Sequence, residues 1–354
     1  MATPSPTEQI ASEINSLQAR IGWMQDSVRL KDTLNSMEDM QTSFNGMPQR
    51  IAALRAKGYV FEKGLEVQAG DFPRQWSTLQ PALMAQINIQ ASALQVSFQS
   101  IEFKMTQLLG LRTNPAAARP LIASIQNEME MLEDKVRSAE STVHGMFNSF
   151  DQLVFVLKKH LDEIEYMLTQ LAEAKFTLLP SEAGLRAIKA VWCKDGKERD
   201  DDPEGVLYVT DQRLLFEQKE EVATKKILFI TTEKKMVQEL RWEIPVTLID
   251  EVKPSKLGLL KNEDHLDIRY KEGAALENTH LHIWEDCNEW LQLLNRAKTK
   301  EFDKDRAVAI DQAEIDKVKT VPAQCPSCGA NMDQVILRGQ DSIKCAYCGF
   351  VIRL

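Results

Sequence analysis

Apolar residues recur at steps of three and four along the first half of the chain and at steps of two along much of the rest. Ile10, Ile14, Leu17, Ile21, Met24 and Val28 alternate between steps of four and three, the seam of a coiled coil. Leu30, Leu34, Met37, Phe44, Ile51 and Leu54 continue it in a shifted register. The glycine-punctuated run KGYVFEKGLEVQAGDFP, Lys57 to Pro73, predicts a break. Trp76, Leu79, Leu83, Ile87, Leu94, Phe98, Ile101, Met105 and Leu108 predict a further helix that stops near Gly110, before the proline-bracketed link RTNPAAARP. Leu121, Ile125, Leu132, Val136, Val143, Phe150, Leu157, Leu161, Ile164, Leu168 and Leu171 then hold one apolar stripe on a single long helix. A stripe of that length cannot be buried alone, so residues 7–179 are expected to form an antiparallel helical, coiled-coil bundle. Its helices pack on one another or on a partner chain, which makes self-association through this region an expected property.

Pro180 ends the helical pattern. Short runs rich in β-branched and aromatic residues follow: LRAIKAVWCK, GVLYVTDQRLLFEQ, KKILFITTEKK, QELRWEIPVTLIDEVKPS, HLDIRYKEG and THLHIWED. Each is bounded by charged or turn residues, at the spacing of an antiparallel barrel or sandwich. A helix closes the segment, with Asp286 or Asn288 as its cap and Trp290, Leu291 and Leu294 on one face.

About seven strands ending in one amphipathic helix resemble the pleckstrin-homology superfold, and more closely its GRAM and bacterial PH-like branch. The likeness is carried by EGVLYVTDQRLLF, with Gly205, Leu207, Thr210, Arg213, Leu214 and Phe216, and by IPVTLIDEVKPS. It implies a PH-like β-barrel with a C-terminal helix over residues 181–297, and it does not name a ligand. Residues 298–320 are nearly all charged or small and read as a solvated linker or helix.

The end of the chain, residues 321–354, carries four of the six cysteines in the pattern C-x2-C-x16-C-x2-C: Cys325, Cys328, Cys345 and Cys348. Two thiolates from one tight turn can occupy two corners of a tetrahedron, and two such turns fill it. Gly329 and Gly349 follow the second cysteine of each pair, where a positive φ is needed. The segment is expected to be a zinc ribbon binding one zinc ion, with QVILRGQDSIK as a hairpin turning near Arg338–Asp341. Four cysteines close the coordination shell, so the expected role is structural and not catalytic.

The remaining chemistry is sparse. Arg338, Lys344 and Arg353 face Asp333 and Asp341 in the ribbon, and the whole chain carries a net charge of -9. Both argue against nucleic acid. In KDGKERDDDPEG the cations Lys194, Lys197 and Arg199 are offset by Asp200, Asp201, Asp202 and Glu204. The stretch KPSKLGLLKNED sets Lys253, Lys256 and Lys261 around Leu257, Leu259 and Leu260, a candidate contact for anionic lipid or a partner. Against it stands the reading that these leucines fold back on the barrel. Lys225, Lys226, Lys234 and Lys235 read as exposed positions flanking a buried strand, ILFI. His280 and His282 share a strand face but show no third ligand nearby and read as a surface pair; Cys193 and Cys287 read as small apolar residues. No P-loop, dinucleotide fingerprint, nucleophile elbow or H-E-x-x-H motif is present. The start MATPSPTEQI lacks the marks of a targeting segment, and no apolar run is long enough to span a bilayer. The expectation is a non-enzymatic cytoplasmic adaptor that contacts protein partners. The alternatives are a peripheral protein at the inner face of a membrane, binding through the PH-like domain, and a nucleic-acid-associated regulator acting through the ribbon.

Overall fold

Ser5 opens the first helix with a capping box: its hydroxyl accepts from the Glu8 amide at 3.3 Å, and the Glu8 carboxylate accepts from the Ser5 amide at 2.7 Å. The computed structural model describes residues 5–353 except 228, 229, 259, 261, 320, 321 and 333. Helix α1 (Pro6–Ser27) buries Ile10, Ile14, Leu17, Ile21 and Met24, the predicted seam. Leu30, at φ 53, separates it from α2 (Lys31–Ala56) and accounts for the register shift. Helices α3 (Leu65–Leu109) and α4 (Pro115–Glu173) complete the helical part.

Two expected breaks are shorter than the prolines suggested, because Pro73, Pro81 and Pro120 lie inside helices. A proline in a helix forfeits one backbone hydrogen bond, at about 3 kcal/mol. Burial of Phe72 and Trp76 on either side of Pro73 offsets that loss.

The chain divides into two compact units, residues 1–48 with 67–158, and residues 49–66 with 159–354. In the first, Phe44 of α2 meets Phe72 and Trp76 of α3 and Phe150 of α4 at ring separations of 5.8–6.3 Å. Lys104 reaches Ser124 and Glu128, and Lys135 reaches Ser97, so α3 and α4 run antiparallel. The Arg20 guanidinium pairs with both carboxylate oxygens of Glu133 at 2.8 Å. Ile125, Leu132, Val136 and Val143 are buried as the stripe predicts, whereas Leu121 is half-buried and Ile122 takes the inner position.

In the second unit seven antiparallel strands form one sheet in the order β4-β3-β2-β1-β7-β6-β5. They are β1 (Gly184–Trp192), β2 (Glu204–Thr210), β3 (Arg213–Ile227), β4 (Ile230–Pro245), β5 (Ile249–Leu257), β6 (Glu263–Tyr270) and β7 (Asn278–Ile283). Strand number, antiparallel order and the closing helix α5 (Cys287–Lys298) agree with expectation; a closed barrel does not. Among the described residues β4 and β5 share no ladder, and α5 lies instead against β5, β6, β2 and the 3-10 turn Val246–Leu248. Its buried Trp290 and Leu294 supply the apolar cover that a β4–β5 pairing would have given. Asp286 is the cap, accepting from the Asn288 amide at 2.8 Å.

The separate strand expected over 225–235 is the far end of a hairpin, with β3 and β4 paired from Arg213↔Pro245 to Ile227↔Ile230. Leu228 and Phe229 of ILFI lie outside the described residues. Past Gln218 strand β3 pairs with β4 alone among the described residues, as a two-stranded ribbon beyond the end of β2. Val222 and Met236, both exposed, fit that position. Beyond α5, Phe302 is buried against the Phe61 ring at 6.0 Å, and Ala307 donates its amide to the Val60 carbonyl at 2.7 Å. The charged segment therefore lies along residues 60–63 before α6 (Gln312–Lys319). Among the described residues no helix is long and apolar enough to cross a membrane.

Candidate metal centre

The two C-x-x-C turns have the same build. The Gly329 amide donates to the Cys325 carbonyl at 2.8 Å, and the Gly349 amide donates to the Cys345 carbonyl at 3.0 Å. Gly329 at φ 72 and Gly349 at φ 75 sit in the left-handed region, where a side chain would be strained. The Cys325 amide in turn donates to Ala330 and the Cys345 amide to Phe350, at 2.8 and 2.9 Å. These loops bring Cys325 Sγ to 3.7 Å from Cys348 Sγ and Cys328 Sγ to 3.8 Å from Cys345 Sγ. Four sulfurs about 2.3 Å from a central ion stand about 3.8 Å apart along each tetrahedral edge. The residues fit such an ion: all four sulfurs lie within 4.8 Å of one another. Amides of Cys348 and then Tyr347 aimed at Cys345 pull its thiol pKa below the ordinary value, while at Cys328 the Ala330 amide is outweighed by the neighbouring sulfurs and burial, which hold the thiol above it.

The hairpin expected between the two pairs forms elsewhere. Strand β8 (Ser342–Lys344) pairs with β9 (Val351–Arg353), across the second turn, with Ile343 opposite Ile352. The Cys345–Gly349 turn reverses the chain tightly enough to set this register, and both isoleucines are buried. Residues 335–337 carry no strand, and the predicted turn is present at Arg338 and Gly339.

That turn seats the ribbon on the sheet. Thr210 at the end of β2 accepts the amides of Gln212 and Arg213 at 3.0 and 2.7 Å and donates to Glu182 at 2.6 Å. Glu182 holds Arg213 through both carboxylate oxygens, at 2.9 and 2.6 Å. The next two residues then face outward as a receptor. Gln212 bonds the backbone of Arg338 twice, accepting its amide at 2.6 Å and donating to its carbonyl at 2.9 Å. Asp211 pairs with the guanidiniums of Arg338 and of Arg306, the latter at 2.7 Å, and also accepts the Ala183 amide at 2.9 Å. Burial pushes the Asp211 carboxyl up, while that amide and the two arginines pull it back. Gly339 fits closely here, since an added Cβ would stand 2.1 Å from the Pro180 carbonyl oxygen. The sequence marked Thr210 and Arg213 by resemblance and missed the seat, because Asp211 and Arg338 are far apart in the chain.

A cleft of about 320 Å³ beside the seat is lined largely by apolar side chains, among them Val246, Ile310, Ile336 and Leu337. Of the candidate lipid or partner contact, Lys256 pairs with Asp264 at 2.8 Å and Asp286 at 3.4 Å, and Lys253 pairs with Glu251 at 3.3 Å. Leu257 and Leu260 are both exposed, Leu260 to 85%. Leu259 and Lys261 lie outside the described residues. In the β1–β2 loop Asp202 accepts the Lys194 and Arg199 amides at 3.2 and 2.9 Å, which makes it a turn-former. Cys193 and Cys287 are buried, and desolvation raises their thiol pKa values to about 12 and about 11. His280 and His282 are not a surface pair: His265 of β6 lies opposite His282, and His280 is buried. The sequence could not show this, because the register of β6 against β7 is a tertiary fact.

No protein-family model matches the chain, and no curated protein matches it. Among solved structures it is similar to the DH/PH domains of PDZ-RhoGEF in complex with GTP-γ-S activated RhoA: 13% identity, 83% of this chain and 92% of that one, TM-score 0.24. A DH/PH fragment of PDZRHOGEF in complex with human RhoA gives 12% identity, 84% and 96% coverage and TM-score 0.25. The C-terminal domain of an unknown protein from Leishmania infantum gives 14% identity, 33% and 84% coverage and TM-score 0.21. Superpositions at these scores carry no argument about what the chain does.

Proposed function

We propose that the chain is a non-enzymatic adaptor whose C-terminal ribbon, folded around one zinc ion and seated on a PH-like domain, presents a contact surface to a protein partner. The observation that carries the reading is the apolar tip of the second knuckle. Tyr347 is 76% exposed, and Phe350 and Val351 are exposed beside it. Aromatic and aliphatic groups held rigidly in solvent by a closed metal shell are the ingredients of a binding hot spot. Zinc is the ion of choice because four thiolates at tetrahedral spacing suit a soft, redox-inert dication. Arg338 counts against nucleic acid as partner, since one of the ribbon's few cations is already engaged by Asp211. Exposed Leu153, Phe155 and Val156 on α4 support self-association through the helical unit.

The test is cross-linking capture with the full chain and with the double variant Tyr347→Ala/Phe350→Ala, after confirming equal zinc content by mass spectrometry. Loss of the same partner in the variant supports the reading; identical captures overturn the tip as the docking element. A second reading rests on Leu260, which stands exposed in the turn after β5 and suits shallow insertion into an anionic membrane. Flotation with phosphatidylserine vesicles at low salt tests it. Absence of binding removes it.

A further inference from the structure

The pairing of β6 with β7 sets His265 opposite His282 and Asp267 opposite His280. Nδ1 of His280 donates to the Asp267 carboxylate at 2.6 Å, and His280 Nε2 stands 3.0 Å from His265 Nδ1. The carboxylate sets the direction of this chain. With its proton on Nδ1, neutral His280 offers a lone pair at Nε2 and accepts the Nδ1–H of His265. His265 is thereby held in the tautomer that leaves a bare lone pair on Nε2. That atom is buried without a hydrogen-bond partner, in a residue only 3% exposed.

An unpaired buried acceptor is destabilising, and the surroundings hold further ligand atoms. Glu198 of the β1–β2 loop lies 2.6 Å from Nδ1 of His282, and the His282 ring stacks on that of His265 at 4.7 Å. One ligand atom each from Glu198, His265 and His282 lie within 4.8 Å of one another. Three ligands each about 2.1 Å from one metal stand about 3.4 Å apart in a tetrahedral shell, so the widest separation must close by up to about 1.4 Å, within reach of a rotamer change at the exposed Glu198. Glu263, whose carboxylate is 3.8 Å from His265 Nε2, is near enough to join them. We propose that His265, His282 and Glu198 bind a second divalent metal ion, of the late first-row class that two imidazoles and a carboxylate favour. Asp267 and His280 are its positioning pair, in the carboxylate–histidine arrangement that orients metal-bound imidazoles. The site is separate from the four cysteines and shares no residue with them.

Co2+ titrated into full-length protein whose ribbon is already filled with Zn2+ tests the site. Trp284, stacked on His282 at 4.3 Å, is the built-in reporter. The expected result is one further equivalent of Co2+ per chain, with fluorescence quenching that disappears in Trp284→Phe and visible bands lacking thiolate charge transfer. Glu198→Ala, at an exposed position of the β1–β2 loop, and His282→Asn should each weaken Co2+ at least tenfold. Asp267→Asn should weaken it about tenfold through His280. No further equivalent in the wild type, or unchanged affinity in both Glu198→Ala and His282→Asn, overturns the proposal.

Discussion

In the helical unit Ile125, Leu132, Val136 and Val143 each contribute one share of a long buried stripe, whereas in the ribbon four sulfurs converge on one point. The first arrangement is redundant: losing one side chain leaves the rest of the stripe packed. The second is concentrated, because so short a segment buries little apolar surface and, on the proposed reading, depends on a bound metal. Seating on the sheet is concentrated too, in one arginine and two receptor side chains. The contrast separates three sources of stability within one chain: distributed packing, a candidate metal site, and a buried ion cluster.

The largest effect should come from the metal. Chelation under reducing conditions, or Cys345→Ser, removes binding worth on the order of 10 kcal/mol in small zinc domains. Hydrogen exchange should then show residues 323–353 fully exchanging while residues 120–150 keep their protection. Loss of protection in both regions would erase the contrast. Next comes Leu132→Ala, expected to destabilise the helical unit by about 2–5 kcal/mol in chemical denaturation without changing zinc content.

Arg338→Ala should cost less, about 2–3 kcal/mol, mostly because Asp211 stays buried with Arg306 as its one remaining guanidinium partner in the seat. Zinc should be retained while amide exchange at residues 336–340 rises. Arg338→Lys should restore little, since one ammonium cannot serve Ser181 and Asp211 as the guanidinium fork does.

The smallest effect is a pH dependence in the second unit. Burial disfavours the His160 imidazolium, but Glu163 and Glu62 outweigh it and raise its pKa to about 9. A pKa raised by folding gives stability that is complete below about 6.5 and lost as pH rises through about 9. About 1–2 kcal/mol should disappear across that window after allowance for partial exposure, and His160→Gln should flatten the dependence. An unchanged pH profile in that variant would mean that the charged pair with Glu62 adds nothing.

The long helices were legible because a stripe at steps of three and four is local and repeated, so errors at single positions such as Leu121 do not matter. The four cysteines were legible because each chelating pair lies within one turn. The prolines misled at Pro73 and Pro120, where neighbouring burial outweighs a lost hydrogen bond. The β3–β4 hairpin was obscured because ILFI reads as a strand of its own, whereas β3 and β4 form one ladder from Arg213↔Pro245 to Ile227↔Ile230.

What the sequence determined by itself is whatever neighbours along the chain decide: helix phase, the cap at Ser5, the two knuckles and their glycines. Tertiary structure alone decided that Asp211 and Gln212 receive Arg338, and that His265 meets His282 and Glu198. Those contacts join residues far apart in the chain, and a strand shifted by one position would turn His265 to the other face. Register and packing are properties of the whole fold, and no local pattern encodes them.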